Sequence, residues 1–423
     1  MILYRGELCE DRELPRLLER LEADCLETIA GQTIDWETVV AACDALARRV
    51  EAGDYDSVLQ PFLTAFSIDP ARFREALFLF KREALSYKLA VELGPEDLPD
   101  LTPPGRAPIR RRRMPLGVLF HMAAGNVDGL PAYSVVEGLL AGNVNILKLP
   151  AQDRGASLLL LRELVRLEPR LRDFVYVFDV PSTDLQSLER FAKIADAVVV
   201  WGGDEAVRAA RTLAGPDTAL ICWGHKLSFA YAVPPVPDGD LEALADHICA
   251  TGQLLCSSCQ GIFLDTGDMG EVHALAERLF PILQAAARRH PPTDPAPSSR
   301  ATLELYAREL EADSGGRRIY RGGGVSVTAA PDSRLELGLL AGNCWVKPLP
   351  RDQIVPRLKP RKGCLQTAGL LCPEGERAAL SALLARAGVV RVTGPGDMSR
   401  TVPGEAHDGT YPLAAYTRVV EAS

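Results

Sequence analysis

Two hydrophobic rhythms divide the chain. Through residues 1–94, apolar positions recur every three to four residues in "LPRLLERLEADCLETI", "WETVVAACDALARRVEAG" and "ARFREALFLFKREALSYKLAVELG", the period of amphipathic helices. Gly53 and Gly94 stand where helix-stopping glycines belong. Past the proline-rich link "GPEDLPDLTPPGRAP" the text changes to short apolar runs: "GVLFHMA", "VNILKLP", "FVYVFD", "AVVVWGG" and "ALICWG". Helical patterns such as "SLLLLRELVRLEP" and "TDLQSLERFAKIA" separate them. Continuous apolar runs suit strands buried on both faces, and their alternation with helices predicts a doubly wound parallel sheet.

A second α/β region is expected from Lys226 to Val390, interrupted by a surface loop at "HPPTDPAPSS" (His290 to Ser299), whose prolines and small polar residues stop a helix. "GLLAGNVNILKLP" and "GLLAGNCWVKPLP", beginning at Gly138 and Gly338, open on the same six residues. Each reads as a helix stopped by a left-handed Gly-Asn and followed by a buried strand, which makes two similar α/β units without proving a duplication.

Composition narrows the class. A net charge of −9 argues against nonspecific nucleic-acid binding, which needs a basic footprint. The run Arg110 to Arg113 reads either as a solvated edge strand or domain entry, or as a landing site for a polyanionic cofactor tail. Ten scattered cysteines in 423 residues suit reduced thiols rather than a disulfide framework. The first fourteen residues carry Glu7, Glu10, Asp11 and Glu13 and lack a secretory apolar run, and no stretch is long and apolar enough for a membrane span, so the expected location is the cytoplasm.

The densest chemistry lies in "ATGQLLCSSCQG", residues Ala250 to Gly261. His247, Cys249, Cys256 and Cys259 supply four potential zinc ligands, although only one cysteine couple has the usual short spacing. Cys256 and Cys259 also read as a redox CxxC pair, and Cys256 alone as a nucleophile in a turn between the helix "EALADHICATGQ" and the strand "GIFLD".

The third reading gains from a resemblance. "GQLLC" resembles the cysteine segment of the aldehyde dehydrogenase superfamily, and "GQLLCSSCQ" is similar to its acyl-CoA reductase branch, the LuxC family. From Met114 onward, "MPLGVLFHMAAGNVDGLPAYSVVEGLLAGNVNILKLP", "VVVWGGDEAV", "CLQTAGL" and "HDGTYPLAAYTRVV" resemble further blocks of that family in order; the first hundred residues match none. The resemblance implies an aldehyde-dehydrogenase-like α/β fold. It comprises a helical N-terminal region (1–105), a Rossmann-like nicotinamide-cofactor domain (106–222) and a second α/β catalytic domain (223–390). A final segment (391–423) returns to the active site and an oligomer interface, so a homo-oligomer is expected.

It also implies roles. Cys256 is the nucleophile, and the Asn126 side chain and Cys256 N–H are the oxyanion donors. Lys148, followed by Pro150, holds the cofactor's ribose, and Gly202 and Gly203 form the turn beneath its pyrophosphate. Asp204 and Glu205 loosen that contact. His407 in "HDG" is a further catalytic candidate, against an ordinary structural histidine. Where aldehyde-oxidising relatives carry a glutamate base in a Glu-Leu-Gly-Gly-Lys-like segment, "CWGHK" has Cys222. Without that base a thioacyl-enzyme is left to thiol exchange or to hydride. The implied activity is reduction of an acyl-CoA or acyl-carrier-protein thioester to an aldehyde, and an acyl-transferring protein is among the implied partners. Uncharged Ala151 or Gln152 after the lysine does not repel a 2′-phosphate, which favours NADPH over NADH. The alternatives are an acyl-phosphate reductase of the same superfamily and the metal or redox thiol readings.

Overall fold

The computed structural model describes residues 1–65, 77–95, 97–123, 129–151, 153, 155–291, 295–311 and 316–423. Contacts divide the chain into two compact units, residues 1–224 with 402–423, and residues 225–401.

The first unit holds nine strands before residue 224: β1 (Ile2–Tyr4), β2 (Glu7–Cys9), β3 (Asp97–Leu101), β4 (Ile109–Pro115), β5 (Val118–Met122), β6 (Val144–Lys148), β7 (Val175–Phe178), β8 (Ala197–Trp201) and β9 (Ala219–Trp223). Seven form a sheet in the order β2-β1-β7-β6-β5-β8-β9, parallel from β7 to β9. Strands β6, β7 and β8 are buried at every position, as the unbroken apolar runs of β7 and β8 require, while β6 buries Asn145 and Lys148 among its apolar residues. The chain runs from β5 outward to β6 and β7, then crosses to the other side of β5 for β8 and β9. That reversal makes a topological switch point between β5 and β8, where open α/β sheets place ligands beyond the carboxyl ends of their strands.

Local chemistry sets the flanking helices. Asp35 and Asp184 accept the Thr38 and Ser187 backbone N–H groups and cap the helices Trp36–Glu51 and Leu185–Ile194. Gly53 and Gly94 take left-handed φ values of 84° and 69° just past their helices.

The N-terminal region differs from the sequence expectation in two ways. Its first nine residues are a hairpin whose β1 adds antiparallel to β7; three-residue strands are too short to show alternation. The third helical stretch is broken at Lys81, which is extended between a 3-10 turn (Leu77–Phe80) and the helix Arg82–Glu92. The Asp44 carboxylate reaches from the helix Trp36–Glu51 to accept the Arg82 N–H at 3.0 Å, satisfying a donor exposed by the break.

The second unit contains β10 (Leu227–Ala232), β11 (Cys259–Leu264), β12 (Arg318–Gly322), β13 (Val325–Ala329), β14 (Asn343–Pro348), β15 (Leu365–Leu371) and β16 (Arg391–Thr393), ordered β12-β13-β14-β11-β10-β15-β16. Only the β12–β13 pair is antiparallel. The expected loop at 290–299 gives way to a helix beginning at Pro295, with residues 292–294 outside the described set. Prolines fit a helix's first turn, where the missing N–H has no intrahelical acceptor.

The internal echo also parts company with its reading. At Gly138 the repeat ends the helix Leu130–Leu140 through left-handed Gly142, as expected. At Gly338 no helix forms, and Leu340, Ala341 and Gly342 are all left-handed, with φ of 64°, 48° and 80°. The backbone there is pinned by side chains from the cysteine turn. A Cβ on Gly338 would also meet the Asn343 and Gln260 carbonyl oxygens at 2.9 and 3.0 Å, a crowded site that requires glycine.

A three-stranded antiparallel sheet of β17 (Thr417–Ala422), β4 and β3 completes the first unit. The arginine run lies on its middle strand, not on an edge. Arg111 donates to the Pro99 carbonyl and Arg113 to that of Leu93, so these two side chains secure neighbouring backbone.

Candidate active site

Cys256 occupies a turn between the helix Asp238–Thr251 and β11, where the sequence pattern puts it. Gly252 and Gln253, with φ of 55° and 64°, end the helix abruptly. The turn then closes on itself, Ser258 N–H donating to the Leu255 carbonyl and Leu255 N–H to the Ser258 hydroxyl. Cys256 is exposed, whereas Cys259, three residues on, is fully buried as the first residue of β11.

Glutamine side chains brace this turn. Gln253 donates to the Cys259 carbonyl at 3.0 Å and accepts from Gly342 and Asn343 N–H at 3.2 Å each. Gln260 donates to the Gln253 and Ser258 carbonyls and accepts from Gly338 N–H. Both are almost completely buried, so each bond replaces water that the amide has lost. The polar side chains of "GQLLCSSCQ" therefore serve the backbone around the thiol, and Ser257 bonds to Ser399.

Two residues absent from the sequence-based set hold Cys256 itself. Ser228 sits where β10 shifts register against both β11 and β15, an irregularity that re-aims a side chain. Its hydroxyl donates to the Cys256 carbonyl at 2.8 Å and accepts from Thr367 N–H at 3.0 Å. Gln366 on β15 directs its side-chain amide to Cys256 Sγ at 3.2 Å. The signal was available: Gln366 and Thr367 are a polar pair inside "CLQTAGL", whose strand is buried throughout.

The other thiols have a different character. Burial pushes Cys249 and Cys259 up to about 12, and the Cys259 thiol donates to the Gly261 carbonyl. His247 accepts the Cys259 backbone N–H on Nε2 at 3.3 Å, and burial lowers its pKa to about 4. Among the described residues no group of three or more His, Cys, Asp or Glu side chains is placed to hold a metal ion, and all ten cysteines are free thiols.

Lys148, Pro150, Gly202, Gly203 and His407 belong to the first unit, Cys256 to the second; Asn126 and Gln152 lie outside the described residues. Met122, next to the switch point, pairs with Lys148 on one side and Val200 on the other, so all three stand in one row at the carboxyl edge of the sheet. Lys148 donates to the Ser182 hydroxyl at 2.9 Å, and burial lowers its pKa. Pro150 accepts the Asp153 N–H in the turn that follows. A Cβ on Gly202 would come within 2.9 Å of Ala206 Cβ, whereas one on Gly203 would meet open space, leaving its backbone approachable at the start of the helix Asp204–Leu213. The His407 ring packs 4.8 Å from Trp201 and 5.1 Å from Trp223, centroid to centroid, at the ends of β8 and β9. Cys222 is half-buried in β9 opposite Val200.

A family model described as acyl-CoA reductase (LuxC) matches residues 33–419. The chain belongs to the acyl-CoA reductase (LuxC) family. Relatives of this LuxC-family chain include the long-chain acyl-protein thioester reductase of Aliivibrio fischeri, 25% identical over 73% of this chain and 64% of that protein. The protein of the same name from Photorhabdus luminescens is 27% identical over 71% and 63%. The match thus spans less than two thirds of either relative's length. Solved structures share the LuxC-family chain's fold at low identity. An NAD-dependent benzaldehyde dehydrogenase of Corynebacterium glutamicum superposes with a TM-score of 0.70 at 12% identity, covering 97% of this chain and 90% of its own. Aldehyde dehydrogenase 21 of Physcomitrella patens gives 0.73 at 11%, covering 98% and 90%. The aldehyde-dehydrogenase-like fold implied by the sequence is the fold observed. Among the described residues no helix is long and apolar enough to cross a membrane.

Proposed function

We propose that this protein reduces an acyl thioester, carried by CoA or by a carrier protein, to the free aldehyde, using Cys256 as the acylated nucleophile and NADPH as reductant. The observation that carries this reading is the exposed thiol of Cys256, held by Ser228 and Gln366 in a braced turn, within a chain of the LuxC family. Its relatives' names point to protein-bound acyl groups, so an acyl-transferring partner is a natural donor.

The chain's own residues divide the work. The Cys256 sulfur bonds to the acyl carbon, and the donor's C–S bond breaks as its thiol leaves with a proton. The negative oxygen formed at this stage is met by the Cys256 N–H and, as the family resemblance implies, by the Asn126 side chain. Cys222, in place of the glutamate that activates water in aldehyde-oxidising relatives, leaves the thioester standing until it is reduced.

The first unit fits a nicotinamide dinucleotide: an open switch point, the Lys148 ammonium for ribose or phosphate, and the approachable Gly203 backbone, with Pro150 shaping the turn beyond Lys148. Acidic Asp204 and Glu205 in the first turn of the following helix would weaken the hold of that N-terminus on a pyrophosphate. When bound, the cofactor supplies a hydride to the acyl carbon. The oxygen's electron pair then re-forms the carbonyl, the bond to Cys256 breaks, and aldehyde and thiolate are released. His407, the remaining catalytic candidate, keeps its ring against Trp201 and Trp223 at the ends of β8 and β9.

Intact mass spectrometry after incubation with a series of acyl-CoAs tests the reading. An acyl adduct is expected on the wild type and not on Cys256→Ala, and addition of NADPH should discharge it as aldehyde. Absence of any adduct, or acylation of Cys256→Ala, overturns it.

A further inference from the structure

The turn fixes the backbone of Cys256, but its sulfur is held from elsewhere. Gln366 lies on β15 beside β10, so neighbouring strands reach the same residue, Ser228 at its carbonyl and Gln366 at its sulfur. Gln366 is 7% exposed in a strand otherwise apolar except for Thr367. A primary amide in such a strand costs free energy unless its polar atoms are used, and the Nε2 to Sγ distance of 3.2 Å shows one use. The surroundings give that contact a purpose. Cys256 follows the helix Asp238–Thr251 and does not open one, whereas low-pKa cysteines commonly sit at helix N-termini.

We propose that Gln366 is a catalytic residue that donates a side-chain N–H to the Cys256 sulfur and stabilises its thiolate. The inference rests on the reading of Cys256 as the acylated thiol and adds to it the group that readies that thiol. A hydrogen bond to the charged form favours ionisation and, once the charge is gone, weakens. It therefore acts twice. It raises the fraction of thiolate that attacks the donor's carbonyl. When the bond between the acyl carbon and sulfur breaks, the same N–H meets the electron pair returning to sulfur and makes Cys256 a better leaving group.

Site-resolved alkylation with iodoacetamide across a pH series tests this, with peptide mass spectrometry separating Cys256 from the other cysteines. The wild-type midpoint should fall below the free-thiol value of about 8.5. Gln366→Met, close in shape and lacking the donor, should raise it by about one pH unit, which slows alkylation about tenfold near neutrality. Gln366→Glu should raise it further, because a carboxylate repels the thiolate. Superimposable profiles for wild type and Gln366→Met overturn the proposal. Should the variants fail to fold, the ultraviolet thiolate signal of the wild type, taken as its difference from Cys256→Ala, reads the same ionisation; a midpoint at or above about 8.5 overturns the proposal too. Alkylation requires neither acyl donor nor cofactor, so the outcomes separate. An acyl adduct with an unchanged alkylation profile removes Gln366 and leaves the reductase reading, whereas a shifted profile without any adduct keeps Gln366's effect and removes the reductase reading.

Discussion

Ser228 holds Cys256 by its carbonyl: the hydroxyl donates at 2.8 Å while accepting the Thr367 N–H at 3.0 Å from the other side. One fully buried hydroxyl thus joins the Cys256 turn to β15. Ser228→Ala leaves the Thr367 N–H without that acceptor and the Cys256 carbonyl without that donor. Stability should fall by about 1–3 kcal/mol, the usual cost of unmet buried polar groups. Acylation of Cys256 should slow as well, because the peptide that aims it is released. Chemical denaturation and time-resolved mass spectrometry measure the two effects. Loss of stability with an unchanged acylation rate would confine Ser228 to a structural role.

The paired cysteines should separate cleanly. Cys259 is buried, its ionisation pushed up to about 12, and its thiol is directed at the Gly261 carbonyl, so it packs as a small apolar side chain. Cys259→Ala should keep full acyl-adduct formation while losing about 1 kcal/mol for the missing sulfur. Cys256→Ala should form no adduct and lose about 1–3 kcal/mol, because the buried Gln366 N–H is left without its sulfur acceptor. The reverse pattern would move the nucleophile to Cys259.

The pattern of apolar runs was sufficient for the central strands because a strand buried on both faces leaves an unbroken signature, as in "AVVVW" of β8. It was silent where structure depends on partners distant in sequence. Nothing local distinguishes the two copies of "GLLAGN"; the second is unwound where the Gln253 carbonyl oxygen of the side chain binds Gly342 and Asn343. Likewise Lys81 interrupts a good helical period because Asp44 caps the next helix. At the candidate site the exposed thiol and its turn were legible from small and polar residues in sequence. Ser228 and Gln366 were hidden, each reading as a strand position until the sheet set β10 beside β15.

His247 makes a pH dependence calculable. It accepts the Cys259 N–H, and burial lowers its pKa to about 4, against about 6.5 when unfolded. Between those values the unfolded chain binds a proton that the folded chain does not, so stability falls as pH drops from about 6.5 toward 4, by up to about 1.4 kcal/mol per pH unit for this one group. His247→Gln removes the titration. Its stability difference from wild type, from denaturant curves at several pH values, should stay constant above about pH 7 and shift in the variant's favour below about 6.5. A difference independent of pH would mean that His247 titrates alike in both states.

Cys222 offers a gain-of-function test of the proposed chemistry. The family resemblance puts it where aldehyde-oxidising relatives carry the glutamate that activates water. It is half-buried in β9. A carboxylate here should restore a general base, and such groups typically contribute about 10²–10⁴-fold to proton-transfer steps. Cys222→Glu should therefore still acylate at Cys256, but without NADPH the adduct should decay faster than on the wild type and release free fatty acid. Following adduct mass over time, with Cys222→Gln as the uncharged control, separates base catalysis from a change in shape. Equal lifetimes for the Glu and Gln variants would show that a base at this position does not reach the thioester, and that the stability of the acyl-enzyme has another cause.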